Sequence, residues 1–269
     1  MGATVLGAVG VVVFSLAPVL YMAAVALSPD PAVLSPGAEF TPTPDHFRTV
    51  MSSGSLHFMA YLGNSVLVSA LSAALSVTAA AAAAYAVTRL RFRFAAAFMF
   101  TVLAVSMFPQ ISLVSPLFKM MSALGWINTY PALVFPYAAW TLPLCLWLLV
   151  SYFARLPREL DRAARVDGCS RLQVLGKIIV PIAAPGLFST FLVAFLFAFN
   201  ELLFALMLTT DRAARTMPVG ISMFEGLHGE MPWGEVMAAA AIATAPVLAL
   251  VLVFQRRIVQ GLTRGAVKQ

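Results

Sequence analysis

Leu62–Thr88, LGNSVLVSALSAALSVTAAAAAAYAVT, decides the fold class. It contains no charged side chain and exceeds the roughly 20 mainly apolar residues that a helix needs to cross a bilayer. Its Ala79–Ala84 tract is the one low-complexity element of the chain, and small side chains of this kind let helices approach closely inside a membrane bundle. Five comparable runs lie on either side: Ala3–Leu27, Phe94–Met107, Pro131–Phe153, Pro185–Thr209 and Val236–Phe254. Phe94–Met107 is the weakest, because Pro109 and Pro116 interrupt its far end. It is expected to run on irregularly toward Met121, with its freed backbone groups packed against protein or water. Ala24-Val25-Ala26 resembles a signal-peptide cleavage site, but the first run lacks a basic leading region and is long for a signal core, so it is expected to stay as a first span. The expected fold is an all-α membrane protein of about six transmembrane helices, one domain over residues 1–269.

The composition agrees. Hydrophobic residues make up 61% and charged residues 10% of the 269, and mean hydropathy is +0.91. A soluble chain of ordinary composition carries about a quarter charged residues, so most of this surface must face lipid. Cys145 lies in an apolar run and Cys169 in a basic loop, which argues against a disulfide, and their spacing is unlike a metal site. His46, His57 and His228 are scattered through polar segments, where surface histidines are ordinary; no span contains one. The net charge of +6 does not imply nucleic acid, because no basic patch sits on a foldable soluble unit. In a membrane protein, basic excess is first a matter of topology.

Three connections hold most of the 17 Lys and Arg: Arg89, Arg91 and Arg93; then Arg155, Arg158, Arg162, Arg165, Arg171 and Lys177; then Arg256, Arg257, Arg264 and Lys268. The alternate connections hold Arg48, Lys119, Arg212 and Arg215 beside Asp30, Glu39, Asp45, Asp211, Glu225, Glu230 and Glu235. With six spans these sets fall on opposite sides, which places both termini and the basic loops in the cytoplasm. The external loops are then residues 28–61 and 211–235. The first is Pro-rich, then reads as a short helix from Asp45 with Phe47, Val50 and Met51 on one face.

The longest basic connection, Arg155–Pro185, reads RLPRELDRAARVDGCSRLQVLGKIIVPIAAP. It is too polar for the membrane and too long for a turn. Pro157 suits a helix start. Leu160, Ala163, Ala164 and Val166 form an apolar face among Arg158, Asp161, Arg162 and Arg165, and Gly168 ends the helix as a C-cap. A second amphipathic piece carries Leu172, Val174, Leu175, Ile178 and Ile179, and Pro181 ends it. Two such helices can be gripped by another protein or can rest on anionic lipid. Amphipathicity alone does not separate these.

This loop resembles a family. Ala163-Ala164-x-x-Asp167-Gly168, followed by Ile178-x-Val180-Pro181, is similar to the E-A-A-x-x-D-G…I-x-L-P signature of ABC importer permeases. The likeness extends along nearly the whole chain. Asn64-Ser65, Ala84-Tyr85-Ala86…Arg89-Leu90-Arg91-Phe92, Phe108-Pro109, Leu124-Gly125…Asn128-Thr129, Phe199-Asn200-Glu201 and Gly261-Leu262-Thr263-Arg264-Gly265-Ala266-Val267-Lys268 all fit the carbohydrate (MalG-like) group, which includes trehalose and maltose permeases. The resemblance implies a type I importer permease working beside a second, homologous permease, two ATPase subunits that carry ATP and Mg, and an extracytoplasmic sugar-binding protein. It makes Glu159, Arg162, Ala163, Ala164, Asp167, Gly168, Ile178 and Pro181 the coupling contact with the ATPase, and the tail Gly265–Gln269 a further one. Met217, Pro218 and Gly220 in the last external loop, with Gly226 and Gly229, then approach the binding protein, although these residues suit an idle connector equally. The substrate implied is a small carbohydrate, a disaccharide such as trehalose or maltose, with no cofactor or metal in this chain. Two departures matter: the motif's leading Glu is Arg162, and its Leu is Val180. An ion pair from that Glu cannot be carried over, and Glu159 or Asp161 lies close enough to replace it.

Glu201 is the only acidic residue well inside an apolar run, beside Asn200. A mid-depth carboxylate costs at least about 2.5 kcal/mol, so it faces a cavity or a partner. Asn200 and Glu201 therefore either line the translocation path or permease interface, or fix helix packing. Tyr137, Trp140 and Trp147 could stack on sugar, or serve as interfacial anchors. No GxxxxGK[ST] loop occurs, so ATP hydrolysis belongs to a partner. The rivals are a permease for a non-sugar solute, disfavoured by the terminal pattern; a secondary transporter, which would need repeats and more mid-depth charges; and a membrane enzyme, which would need a nucleophile–base set or metal ligands in the spans.

Overall fold

The computed structural model describes residues 2–29, 41–52, 57–90, 93–224 and 231–266, with side chains from residue 4 to residue 255. The Pro-rich part of the first external loop, Arg91 and Phe92, Gly226 through Gly229, and the side chains of the tail lie outside them. Every regular element among the described residues is a helix. Among the described residues four helices are long and apolar enough to cross a membrane, and the number rises to as many as six if each of two bent pairs counts as one span.

Two compact units divide the chain. The first comprises Met1–Gly63 and Thr216–Val247. Here α1 (Gly2–Leu27) is followed by α2 (Asp45–Ser52). Nearly all of α1 is uncovered, with Phe14 82% exposed. An apolar helix bare on all sides is stable only against lipid or another protein. Val50 of α2 is fully buried and Phe47 partly so, but Met51 is 58% exposed, so α2 presents a narrower apolar face than the sequence predicts. His46 Nε2 meets the Ser28 carbonyl oxygen at 3.0 Å and anchors the helix to the end of α1.

The second unit comprises Asn64–Arg215 and Leu248–Gln269. It contains most of α3 (Phe58–Arg89), then α4 (Ala95–Ser106), α5 (Gln110–Ala123) and α6 (Tyr130–Phe153). Ser65, Ser69, Ser72 and Ser76 recur on one side of α3 and are all buried. Without water, each hydroxyl must find a partner in protein. Ser72 donates to the Val134 carbonyl and Ser76 to Cys145 Sγ, both on α6. Small side chains thus let two spans touch.

The third run is not irregular beyond Met107. It becomes a second regular helix, α5, turned 90° from α4. Pro109 lies at the corner, and Pro116 sits within α5 without ending it. Gly125, at φ +68°, closes α5, and the Trp126 N–H reaches back to the Met121 carbonyl.

The basic connection folds as α7 (Glu159–Val166) and α8 (Arg171–Val174), then a π-helical turn over Leu175–Ile179 and α9 (Val180–Ile182). Pro181 does not end this piece. Its ring would clash with the carbonyl of Lys177 in a regular α-turn, and the wider π-turn relieves that clash. The 82° bend to α10 (Ala184–Phe199) falls at Ala183. The fifth run is also divided: α10 stops at Phe199, and α11 (Leu203–Leu208) begins after Asn200–Leu202. The short α12 (Met217–Ser222) and the long α13 (Trp233–Ala266) complete the chain.

Candidate functional site

Gly168 ends α7 in the left-handed conformation, φ +84°, which only glycine adopts freely. The Cys169 N–H donates to the Ala164 carbonyl at 3.0 Å and the Gly168 N–H to Arg165 at 3.2 Å, a complete Schellman cap. Ser170 then starts α8 in a capping box with Gln173. Both ends of the Gly168 corner are held by local bonds, so α7 and α8 make one stiff unit.

The apolar residues of α7 divide between two sides, contrary to the single face expected. Ala164 is buried and Leu160 half-buried, whereas Ala163 is exposed and Val166 is 88% exposed. Leu172, the first apolar residue of α8, is 81% exposed. Glu159, Arg162, Asp167, Gly168 and Pro181 are exposed; Ile178 is half-buried, and its neighbour Ile179 is the one fully enclosed.

Arg89, the last residue of α3, fastens this unit to the spans. Its side chain is 3% exposed. Nη2 donates to the carbonyls of Phe153 and Leu156, both at 2.7 Å, at and just beyond the C-terminal end of α6. A cation there also suits the negative end of the helix dipole. Nη1 lies 3.3 Å from Asp161 of α7. One guanidinium therefore joins α3, α6 and α7. Asp161 is thereby committed inside the chain, and of the two acids that could replace the motif Glu, Glu159 is the exposed one, 3.9 Å from Arg162. No site motif of the sequence contains Arg89. The signal available was an arginine closing a span that is otherwise free of charge.

A second cluster forms at the break in the fifth run. The Glu201 carboxylate accepts the Phe204 and Ala205 N–H groups at 2.9 and 3.2 Å, capping α11. It also accepts from Gln110 Nε2 at 2.8 Å. Gln110 begins α5 directly after the Pro109 corner, so one bond links the two interrupted spans. Nothing local in the sequence distinguishes Gln110. A cavity of about 700 Å³ is lined by Gln110, Trp140, Asn200 and Glu201 among apolar neighbours. Trp140 also borders two apolar cavities of about 490 and 460 Å³, the second including Trp147. The structure therefore gathers Trp140, Asn200 and Glu201. Tyr137 is not with them: it is 1% exposed, in the packed interior.

Two asparagines hold the segment after α11. Asn128, at φ +65°, accepts the Thr210 and Asp211 N–H groups through Oδ1 and donates to the Thr210 hydroxyl. Asn64 donates to the Ala213 and Arg215 carbonyls and accepts from the Tyr130 hydroxyl. In the first unit, Met217 (1% exposed) and Gly220 are turned inward, leaving Pro218 half-exposed. An α-carbon substituent on Gly220 would come within 2.5 Å of the Tyr61 ring. Direct contact of a partner with Met217 or Gly220 does not fit this arrangement. Among the described residues no group of three or more His, Cys, Asp or Glu is placed to hold a metal.

Four helices long and apolar enough to cross a membrane, two further bent helix pairs and a stiff polar helix over Glu159–Val166 define a multi-pass membrane protein. Residues 76–264 match the family described as the binding-protein-dependent transport system inner membrane component, and the chain belongs to that family. It is 51% identical over 265 residues to the trehalose/maltose transport system permease protein MalG of Thermococcus litoralis, covering 98% of this chain and 95% of the relative. It is 42% identical over 263 residues to the trehalose transport system permease protein SugB of Mycobacterium tuberculosis, covering 96% and 94%. The fold matches a chain in the crystal structure of a bacterial ABC transporter involved in the import of the acidic polysaccharide alginate, with a TM-score of 0.75 at 21% identity over 95% of this chain and 94% of that one. The chain is a permease subunit of an ABC importer, resident in the cell membrane, and not an enzyme.

Proposed function

We propose that this chain is one of two homologous membrane subunits of an ATP-driven, binding-protein-dependent importer for a disaccharide, with trehalose or maltose favoured. Both termini and the α7–α8 unit face the cytoplasm, where most of the Lys and Arg are found. ATP and Mg are bound by two partner ATPase subunits. The observation that carries the coupling role is the two-sided build of α7: Val166 and Leu172 stand bare on the outside, and Asp161 is tied inward through Arg89 to α3 and α6. A lever must be gripped on one side and attached on the other. Closure of the ATPase pair would displace α7, and the Arg89 clamp would pass that displacement to two spans, opening alternate sides of the path.

The cavity holding Trp140, Gln110, Asn200 and Glu201 has the aromatic face and hydrogen-bonding groups that a sugar requires, and it is assigned to the path or to the contact with the second permease. The binding protein is received near α12 through the side bearing Pro218, with Met217 and Gly220 shaping that helix from within. The preference for a disaccharide is supported by end-to-end likeness to permeases named for trehalose and maltose.

Gly168→Pro tests the coupling role. Proline fixes φ near −65° and has no N–H to give Arg165, so the cap cannot form. In the assembled importer this variant should reach the membrane but lose ATPase co-purification and sugar-stimulated ATP turnover. Retention of both would show that α7 is not the coupling element.

A further inference from the structure

We infer that the α3–α7 junction contains a binding site for the phosphate headgroup of an anionic phospholipid. A cavity of about 390 Å³ opens there, lined by Tyr85, Arg89 and Leu90 from the end of α3 and by Arg158, Asp161, Arg162, Arg165 and Arg171 from the loop. Five guanidinium groups face one carboxylate, and that carboxylate already serves Arg89. Arg162 has a further, loose neighbour in Glu159 at 3.9 Å, with both side chains more than 70% exposed. The described residues that line the cavity therefore keep a strong positive excess. Arg89 is 3% exposed, yet its Nε–H has no hydrogen-bond partner. Buried donors are rarely left unpaired, so this group lacks an acceptor. Phosphate oxygens match the planar donor edge of arginine.

The location selects the source of that phosphate. Tyr85, Arg89 and Leu90 close a span that is apolar up to this point, so the cavity opens where the hydrocarbon layer meets the headgroups. Tyrosine is typical of that depth, and basic pockets beside spans bind anionic lipid. A lipid held here would touch the α3 end and the α7 arginines together, setting how freely α7 moves.

The test uses the complete importer, purified in detergent and reconstituted in nanodiscs of phosphatidylcholine with or without phosphatidylglycerol. Bound lipid is counted by native mass spectrometry. The expected result is phosphatidylglycerol retained over phosphatidylcholine, weakened about fivefold for each arginine removed in Arg165→Gln and Arg171→Gln. Arg165→Lys/Arg171→Lys should keep much of the preference. Equal retention of both lipids, or a preference unchanged in the double Gln variant, would overturn the inference. Displacement of the lipid by millimolar inorganic phosphate would transfer the site to a free anion and refute the lipid assignment. Loss of the ATPase subunits from the double Gln variant, with lipid retention intact, would make these arginines partner contacts and likewise refute it.

Discussion

Replacing Arg89 by methionine keeps most of the volume of the side chain and removes its charge and donors. Three interactions disappear: two 2.7 Å hydrogen bonds to the Phe153 and Leu156 carbonyls and the 3.3 Å approach to Asp161. Hydrogen bonds from a charged donor contribute about 1.5–3 kcal/mol each. Breaking a buried ion pair from one side costs about 3–5 kcal/mol, because the remaining charge is stranded. The Asp161 side chain is 16% exposed, so water relieves part of that cost, and the expected loss is about 3–5 kcal/mol in all rather than the sum. Removing both charges, in Arg89→Met/Asp161→Asn, should recover part of it. A coupling energy of about 1–3 kcal/mol is expected from the double-mutant cycle. The assay is reversible unfolding of the purified subunit in mixed micelles, paired with sugar-stimulated ATP turnover of the assembled importer. Turnover should fall in Arg89→Met even where assembly is restored by lower temperature, since the clamp joins α7 to the spans. Additive single-variant losses, or normal turnover in Arg89→Met, would refute the clamp.

Glu201→Gln leaves one oxygen to cap α11 but removes the charge facing the positive helix end, and should lower stability by about 1–2 kcal/mol. If the residue also lines the path, transport measured in vesicles falls further than assembly measured by co-purification; equal loss of both assigns it to packing. Gly220→Ala places a methyl group within 2.5 Å of Tyr61, on a helix whose core is already filled. Overpacking of this kind costs about 1–3 kcal/mol, visible as a lower unfolding midpoint, and Gly220→Ala/Tyr61→Leu should regain part of it.

The spans were legible because hydropathy is local and additive: a run of apolar residues has its length whatever it packs against. The Gly168 corner was legible for a similar reason, since a helix C-cap is closed by neighbours within five residues. The interruptions were less so. Pro109 announced a corner, but no helix breaker marks Asn200–Leu202, where the break is supported by bonds from Glu201 to Phe204, Ala205 and the distant Gln110.

From sequence alone come the six apolar runs, the alternation of Lys- and Arg-rich connections with acidic ones, and the family resemblance at Ala163–Pro181. Each depends on composition or on order along the chain. Tertiary structure alone decided which polar groups meet. Arg89 reaches Asp161 and the end of α6, Gln110 reaches Glu201, and Asn64 and Asn128 reach the segment after α11. It also divided the expected apolar face of α7, turning Ala164 inward and Val166 outward. These pairings join residues tens of positions apart, brought together by the packing of spans in a medium without water. No periodicity or spacing encodes them.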